Sequence, residues 1–251
     1  MDNRHHSIHI FPDLNDLYAA VTERWRELAV DAVNDHGEFH VALSGGTTPR
    51  YLYEQLATPA LAKVLPWHTT HIYFGDERCV PPDHKDSNFH MASEALLRHV
   101  PIPQQQIYRI EADIPEPAVG ASRYEQQLGA SLPRDNRNGK YFDLIMLGLG
   151  PDGHIASLFP DSDILTEHNK LVSAVHVDKI QAWRISLTFI AIGLARHVII
   201  LVAGENKSDI IAKVLGNRPH SEAFPVEMIP SSTNPEWYLD AAAANQLDDT
   251  C

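Results

Sequence analysis

The sequence predicts an α/β protein, with a Rossmann-like, largely parallel twisted sheet and helices on both faces. Three observations carry that expectation. Short apolar runs alternate with stretches of helical periodicity, the pattern of strand–helix–strand units. Glycine-rich loops follow several of the apolar runs, where a strand turns into a helix. The chain has 251 residues, 44% of them hydrophobic, enough for one sizeable core, so a single domain over 1–251 is expected.

Taken in order, Ser7 to Phe11 reads as a short strand. Asp13 to His36 carries Leu14, Leu17, Val21, Leu28, Ala32 and Val33 at helical spacing, with Gly37 suited to the C-terminal cap. Phe39 to Leu43 is a strand, and Pro49 suits the first position of a short helix ending near Ala57. Thr70 to Phe74 is the next strand, followed by Gly75, Asp76, Glu77 and Arg78 and a polar loop over 81–88. Phe89 to Val100 reads as a helix stopped by Pro101, and Ile107 to Ile110 as a short strand. Val119 to Leu128 is a helix, and Asp135 to Gly139 a turn. Tyr141 to Leu147 is a strand, with further strands at Leu171 to Val175, Arg184 to Leu187 and Val198 to Val202. A helix is expected from Lys207 to Leu215, and a fraying helix end from Ala241 to Cys251.

Bulk properties exclude several classes of function. A formal net charge of −13 opposes binding to nucleic acid or to an anionic membrane surface. A small anionic substrate stays compatible, because a local basic cluster outweighs distant charges screened by salt. Cys79 and Cys251 form no paired spacing, which fits a reducing compartment and no disulfide framework. The first residues lack the apolar stretch of a secretory signal, so a cytoplasmic location is expected. The apolar tract from Ile185 to Ala203 is broken by Gly193, Arg196 and His197 and reads as two core elements around a turn. The expected state is a monomer or small homo-oligomer with a small-molecule partner.

Two loops carry most of the chemistry. Ser44, Gly45, Gly46 and Thr47 lie between a strand and a proline-started helix. Glycines there let successive N–H groups converge, and a helix N-terminus adds partial positive charge, which suits a phosphate. Neither a Walker loop nor a dinucleotide fingerprint is present. Arg184 and Lys207 lie beside strand segments that reach the same sheet edge and are candidate phosphate-binding cations. The second loop runs from Gly148 to Pro160 and contains Asp152 and His154. Imidazole titrates near ~6.5, so it exchanges protons around neutrality, and a carboxylate two residues away orients it or stabilises its charged form. After a third strand, Asp76, Glu77 and Arg78 place two carboxylates and a guanidinium where hydroxyls or an oxyanion would bind. His-Glu-x-x-His, paired cysteines and EF-hand spacing are all missing, so no metal ligands are assigned.

Together these loops resemble the 6-phosphogluconolactonase family. The likeness rests on Ser44 to Thr47, Gly75 to Arg78, Gly148 to Pro160, Arg184 to Thr188 and Gly204 to Lys207, and spans about Ile8 to Leu239. It is similar, more broadly, to a superfamily that includes glucosamine-6-phosphate isomerases/deaminases. The resemblance implies hydrolysis of 6-phospho-D-glucono-1,5-lactone, the second step of the oxidative pentose phosphate pathway, with no metal or organic cofactor. It implies that His154 is the general base with Asp152 beside it and that Arg78 contacts substrate. Ser44, Gly45, Gly46, Thr47, Arg184 and Lys207 would hold the phosphate; Asp76 is a further candidate substrate contact, and the sequence leaves open whether Asp76 or Glu77 faces the substrate. The deaminases continue the shared Asp-Gly-His-Ile-Ala with Phe-Asn-Glu-Pro, whereas this chain has Ser157, Leu158, Phe159 and Pro160. Phe159 therefore stands where they carry a glutamate. Ile155, a threonine in many lactonases, is shared with the deaminases. The alternatives are an aminosugar-phosphate isomerase/deaminase and a non-catalytic sugar-phosphate-binding domain.

Overall fold

In the computed structural model, which describes residues 7–133, 142–216 and 223–247, the strands form two sheets. The larger has the order β1-β9-β8-β5-β2-β3 and the smaller β4-β7-β6. The chain runs β1 (Ser7–Phe11), α1 (Leu14–His36), β2 (Phe39–Leu43), α2 (Thr47–Leu56), α3 (Pro59–Val64), β3 (Thr70–Phe74), β4 (Asp76–Arg78), α4 (Asn88–Ala92) and α5 (Pro117–Ser131). It continues with β5 (Phe142–Leu147), β6 (Val172–Val177), β7 (Ala182–Leu187), α6 (Phe189–Gly193), β8 (Ala195–Val202), α7 (Ser208–Leu215) and β9 (Glu236–Asp240).

Every pairing in the larger sheet is parallel. β2 and β5 are buried at every residue, so the middle of the sheet is covered on both faces, as parallel sheets require. The first helix starts where Asp13 accepts from the amides of Asn15 and Asp16 and ends at Gly37 with φ 94°. Its inner stripe of Leu17, Val21, Trp25, Leu28 and Ala32 is buried. Arg24 on that helix makes a bidentate pair with Glu236 on β9 at 2.8 and 2.9 Å. Burial opposes ionisation of Glu236, but His197 and Arg24 overcome it and hold the carboxyl down at about 2.

Topology dictates where a crevice opens. From β2 the chain proceeds to its neighbour β3, whereas from β5 it proceeds to β8 on the opposite side. The loops after β2 and β5 therefore diverge, and a ligand site forms at such a switch point beyond the strands' carboxyl ends. Two tyrosines finish the neighbouring strand ends, where the backbone ladder stops. Tyr53 accepts from Ser44 N at 2.9 Å and donates to Ser44 O at 2.8 Å. Tyr124 does the same for Phe74 N and O, at 2.8 and 3.0 Å. Each hydroxyl satisfies one donor and one acceptor that would otherwise be buried unpaired.

Several expected elements differ. Asp76 to Arg78 is not loop but a strand, antiparallel to β7, which pairs antiparallel with β6. The small sheet was not foreseen, because three charged residues carry no apolar alternation. The expected strand at Ile107 to Ile110 is a single bridge from Ile107 to Ile72. The expected helix from Phe89 is α4 followed by a wider π-type turn at Ser93–Leu97. The helical segments Pro59–Val64 and Phe189–Gly193 and the strand Glu236–Asp240 are additional. Residues 241–247 form turns rather than a helix end. The turn expected at Asp135 to Gly139 lies outside the described residues. No described helix is long and apolar enough to cross a membrane.

Candidate active site

A cavity of about 410 Å³ opens at the switch point. Its walls come from the loops after β2, β5 and β8 and from β4. Ser44, Gly45, Gly46 and Thr47 form one side, Gly150 and His154 another, and Asp76, Arg78 and Lys207 complete it. The two glycine loops and the cation after β8 thus meet around one space, although they lie far apart in sequence.

The loop after β2 leads directly into α2, whose start has no side-chain cap. Its first amides are left open to an anion. Gly45 is required by a close approach, since a Cβ there would lie 1.9 Å from Asn88 Oδ1. Asn88 in turn donates to Asp76 O at 2.8 Å and Asp76 Oδ1 at 3.0 Å. Lys207 reaches across from the turn after β8 and donates to Leu149 O at 2.7 Å. One of its three N–H donors is used in that bond. Burial pulls the Lys207 ammonium below its ordinary pKa, and Asp152 works against that shift.

His154 is held on three sides. Its ring packs on Gly150, where a Cβ would lie 2.0 Å from Nδ1. Phe159 stacks on it, with ring centroids 4.0 Å apart and planes 26° from parallel. Nδ1 lies 2.5 Å from Asp152 Oδ1, and Lys179 Nζ is 2.9 Å from the other Asp152 oxygen. Burial of Asp152 favours its neutral form, but the hydrogen bonds from Lys179 and His154 prevail and lower it to about 2. An ionised carboxylate only accepts hydrogen bonds, so the imidazole proton sits on Nδ1 and Nε2 carries the lone pair. Asp152 stands behind the ring and is not itself a cavity wall.

The tripeptide of β4 divides by strand alternation. Asp76 and Arg78 line the cavity, whereas Glu77 lies on the other face of the strand. There Glu77 accepts from the amides of Asn88 and Phe89, at 2.7 and 2.8 Å, and from Ser87 Oγ at 3.0 Å. It anchors the start of α4. Burial raises its pKa against the pull of those amides. Asp76 is also committed, because Ser157 Oγ donates to its second oxygen at 2.6 Å. It ties the His154 loop to β4. Arg78 donates to Asp86 O at 2.7 Å. Arg184, expected at the phosphate, does not line this cavity. It is the cross-strand partner of cavity-lining Arg78, so the two side chains leave the same face of the small sheet, and burial and then the Arg78 charge lower its pKa. Inward residues of β7 are read from pairing, which its sequence does not reveal.

Sequence reasoning missed Lys179, Asn88, Ser157 and the cavity-lining Asn206. Lys179 lies well downstream of Asp152, with no periodicity to connect them. Phe159 was noted for its identity, but its stacking on His154 needs the fold of the loop.

The model for glucosamine-6-phosphate isomerases/6-phosphogluconolactonase matches residues 12–238. The chain belongs to the glucosamine-6-phosphate isomerase/6-phosphogluconolactonase family. Among its relatives, a 6-phosphogluconolactonase of Nostoc sp. is 36% identical over 241 residues, covering 96% of this chain and 98% of the relative. One from Haemophilus influenzae is 38% identical over 209 residues, covering 83% and 87%. The solved 6-phosphogluconolactonase of Trypanosoma brucei superposes with a TM-score of 0.83 at 29% identity, covering 97% of this chain and 99% of that one. A monomeric glucosamine-6-phosphate deaminase shares the family fold, with a TM-score of 0.78 at 17% identity, covering 96% and 99%.

Proposed function

We infer that this family member is an enzyme that hydrolyses 6-phospho-D-glucono-1,5-lactone to 6-phospho-D-gluconate in the cytoplasm. The observation that carries this reading is the meeting of an oriented imidazole with an anion cradle around one cavity. The cradle at Ser44 to Thr47 and Lys207 binds the phosphate. The far end of the sugar then presents its ring carbonyl to His154.

A lactone is an activated ester, so water suffices as nucleophile. His154 Nε2 takes a proton from water as its oxygen bonds to the carbonyl carbon. Charge builds on the carbonyl oxygen, where the Arg78 guanidinium and loop amides stabilise it. The bond from the carbonyl carbon to the ring oxygen then breaks. The imidazolium returns its proton to that oxygen, which becomes a hydroxyl, and the new carboxyl group ionises. Asp152 keeps the imidazole in the required tautomer and stabilises its charge, with Lys179 holding Asp152. General-base action contributes roughly 10²–10⁴-fold, and the remote phosphate fixes the carbonyl in place.

Phe159 separates this reading from the aminosugar deaminases. An apolar ring covers the imidazole where they place a carboxylate for ring opening. The test is an initial-rate assay with freshly made lactone, corrected for spontaneous hydrolysis, run beside an assay of ammonia release from glucosamine 6-phosphate. Rapid lactone opening without ammonia is expected. Ammonia release without lactone opening would replace this reading with the deaminase one, and activity in neither assay would leave a sugar-phosphate-binding domain.

A further inference from the structure

The N-terminal ends of β2 and β3 lie at the end of the sheet away from the cavity and hold a second cluster. His40 and His71 are register partners across these parallel strands, so their side chains leave the sheet side by side. Their ring centroids are 4.5 Å apart, with planes 19° from parallel. Glu38, between α1 and β2, faces both rings. Its Oε2 is 3.0 Å from His40 Nε2, and its Oε1 is 3.6 Å from His71 Nε2. One donor atom from each residue lies within 4.8 Å of the others. His40 is wholly buried, while Glu38 is half exposed.

A hydrogen-bond chain settles which nitrogen of His40 carries a proton. Ser131 Oγ donates to Gln127 O at 2.7 Å. Its oxygen therefore accepts from the Tyr73 hydroxyl at 3.1 Å. With its proton so used, the Tyr73 oxygen accepts from His40 Nδ1 at 3.1 Å. Protonated at Nδ1, neutral His40 presents a lone pair at Nε2 to a carboxylate oxygen. Two lone pairs 3.0 Å apart call for a cation between them.

We propose that Glu38, His40 and His71 form a binding site for a divalent transition metal of the zinc class. Two imidazole nitrogens and one carboxylate with an open solvent-facing position are a recognised donor set for that ion. Tyr73 and Tyr108 lie 3.1 Å from the second nitrogens of His40 and His71, the outer-shell support that ligating histidines need. Bonds of about 2.0–2.1 Å in a tetrahedron space the donors by about 3.4 Å; His40 Nε2 is 3.0 Å from one Glu38 oxygen and His71 Nε2 3.6 Å from the other, so each histidine has a carboxylate oxygen at about that spacing. None of the three residues lines the catalytic cavity. A bound ion would staple the edge strand to β2 and to the turn after α1, independently of lactone hydrolysis.

The experiment is equilibrium dialysis of the full chain against Zn²⁺ and Co²⁺, followed by metal analysis and visible spectroscopy. Wild type is compared with His71→Asn, Glu38→Gln and Tyr108→Phe. His154→Asn and a variant with His5 and His6 replaced by alanine control for binding elsewhere. One ion per chain is expected at this site. His71→Asn and Glu38→Gln abolish it, Tyr108→Phe weakens it roughly 10–100-fold, and both controls retain it. A second measurement needs no variant: one equivalent of Zn²⁺ should shift the ring ¹⁵N resonances of His40 and His71. Failure to bind stoichiometrically, binding that survives both ligand substitutions, or unmoved His40 and His71 resonances would overturn the site.

Discussion

The two ends of the larger sheet each set a histidine against a carboxylate, in different ways. At the carboxyl end, Asp152 holds His154 Nδ1, and Lys179 holds Asp152. The carboxylate is charge-compensated, and the imidazole is left with a free basic nitrogen beside a cavity. At the amino end, Tyr73 holds His40 Nδ1, and the basic nitrogen faces Glu38 and not a cavity. A histidine beside a carboxylate is thus not one motif. Which ring nitrogen meets the carboxylate, and whether a cation balances it, decides between a proton shuttle and a cation site. The topology supplies the rest, because only the carboxyl end has a switch point where loops diverge.

The comparison predicts its largest effect at His154. His154→Ala should lower kcat by about 10²-fold or more, while Glu38→Gln at the opposite end leaves kcat within twofold or so of wild type. Stopped-flow or initial-rate measurements on the two variants check this. Equal losses in both would mean that the two ends are not functionally separate.

Gly150→Ala should follow closely. The new Cβ would lie 2.0 Å from His154 Nδ1, so the imidazole must leave its place between Phe159 and Asp152. A displacement of about 1 Å at a catalytic group costs on the order of 10²-fold. The kinetic signature is a fall in kcat with an intact fold by circular dichroism. Retained turnover would show that the ring's seat on Gly150 is not needed for catalysis.

These expectations divide along the same line as what the sequence made legible. The apolar runs of β2, β5 and β8, each followed by a glycine-containing loop, announce a parallel sheet with ligand-facing loops, because buried parallel strands need continuous apolar side chains. Ser44, His154 and Lys207 could be found that way. The small antiparallel sheet could not. β4 consists of Asp76, Glu77 and Arg78, and its burial depends on partners elsewhere in the chain, such as Asn88 and Ser157. For the same reason the sequence left open whether Asp76 or Glu77 faces the cavity, which a two-residue period answers only once the strand exists. Arg184 stands out in the sequence as a cation at a strand start, but only the antiparallel register makes it the neighbour of cavity-lining Arg78. His40 and His71 are unremarkable in sequence, since only their parallel register makes them neighbours.

Lys207→Ala should act on binding more than on chemistry. Its ammonium lines the cavity from the β8 side, and a hydrogen bond from a charged donor to a phosphate is worth about 1.5–3 kcal/mol. KM is expected to rise roughly tenfold or more, with kcat changed little. A fall in kcat at constant KM would transfer Lys207 from the phosphate to the reacting end.

Lys179→Ala gives the smallest effect and the sharpest test of charge compensation behind His154. The lysine is largely exposed, its side chain at 66%, so its pairing with Asp152 is worth less than about 1 kcal/mol and is screened by salt. Asp152 has a folded pKa near 2, below the ordinary 3.8. A depressed carboxylate contributes stability that is complete above its unfolded pKa and disappears as pH falls through its folded one. Removing Lys179 raises the folded value toward 3.8. The difference in melting temperature between wild type and variant should therefore be largest near neutrality and shrink as pH falls below about 4. At neutral pH, kcat should fall only a few-fold, because His154 still donates to Asp152 and still stacks on Phe159. A difference in melting temperature that stays constant from pH 7 to 3 would mean that Lys179 acts through its packing and not through the charge of Asp152.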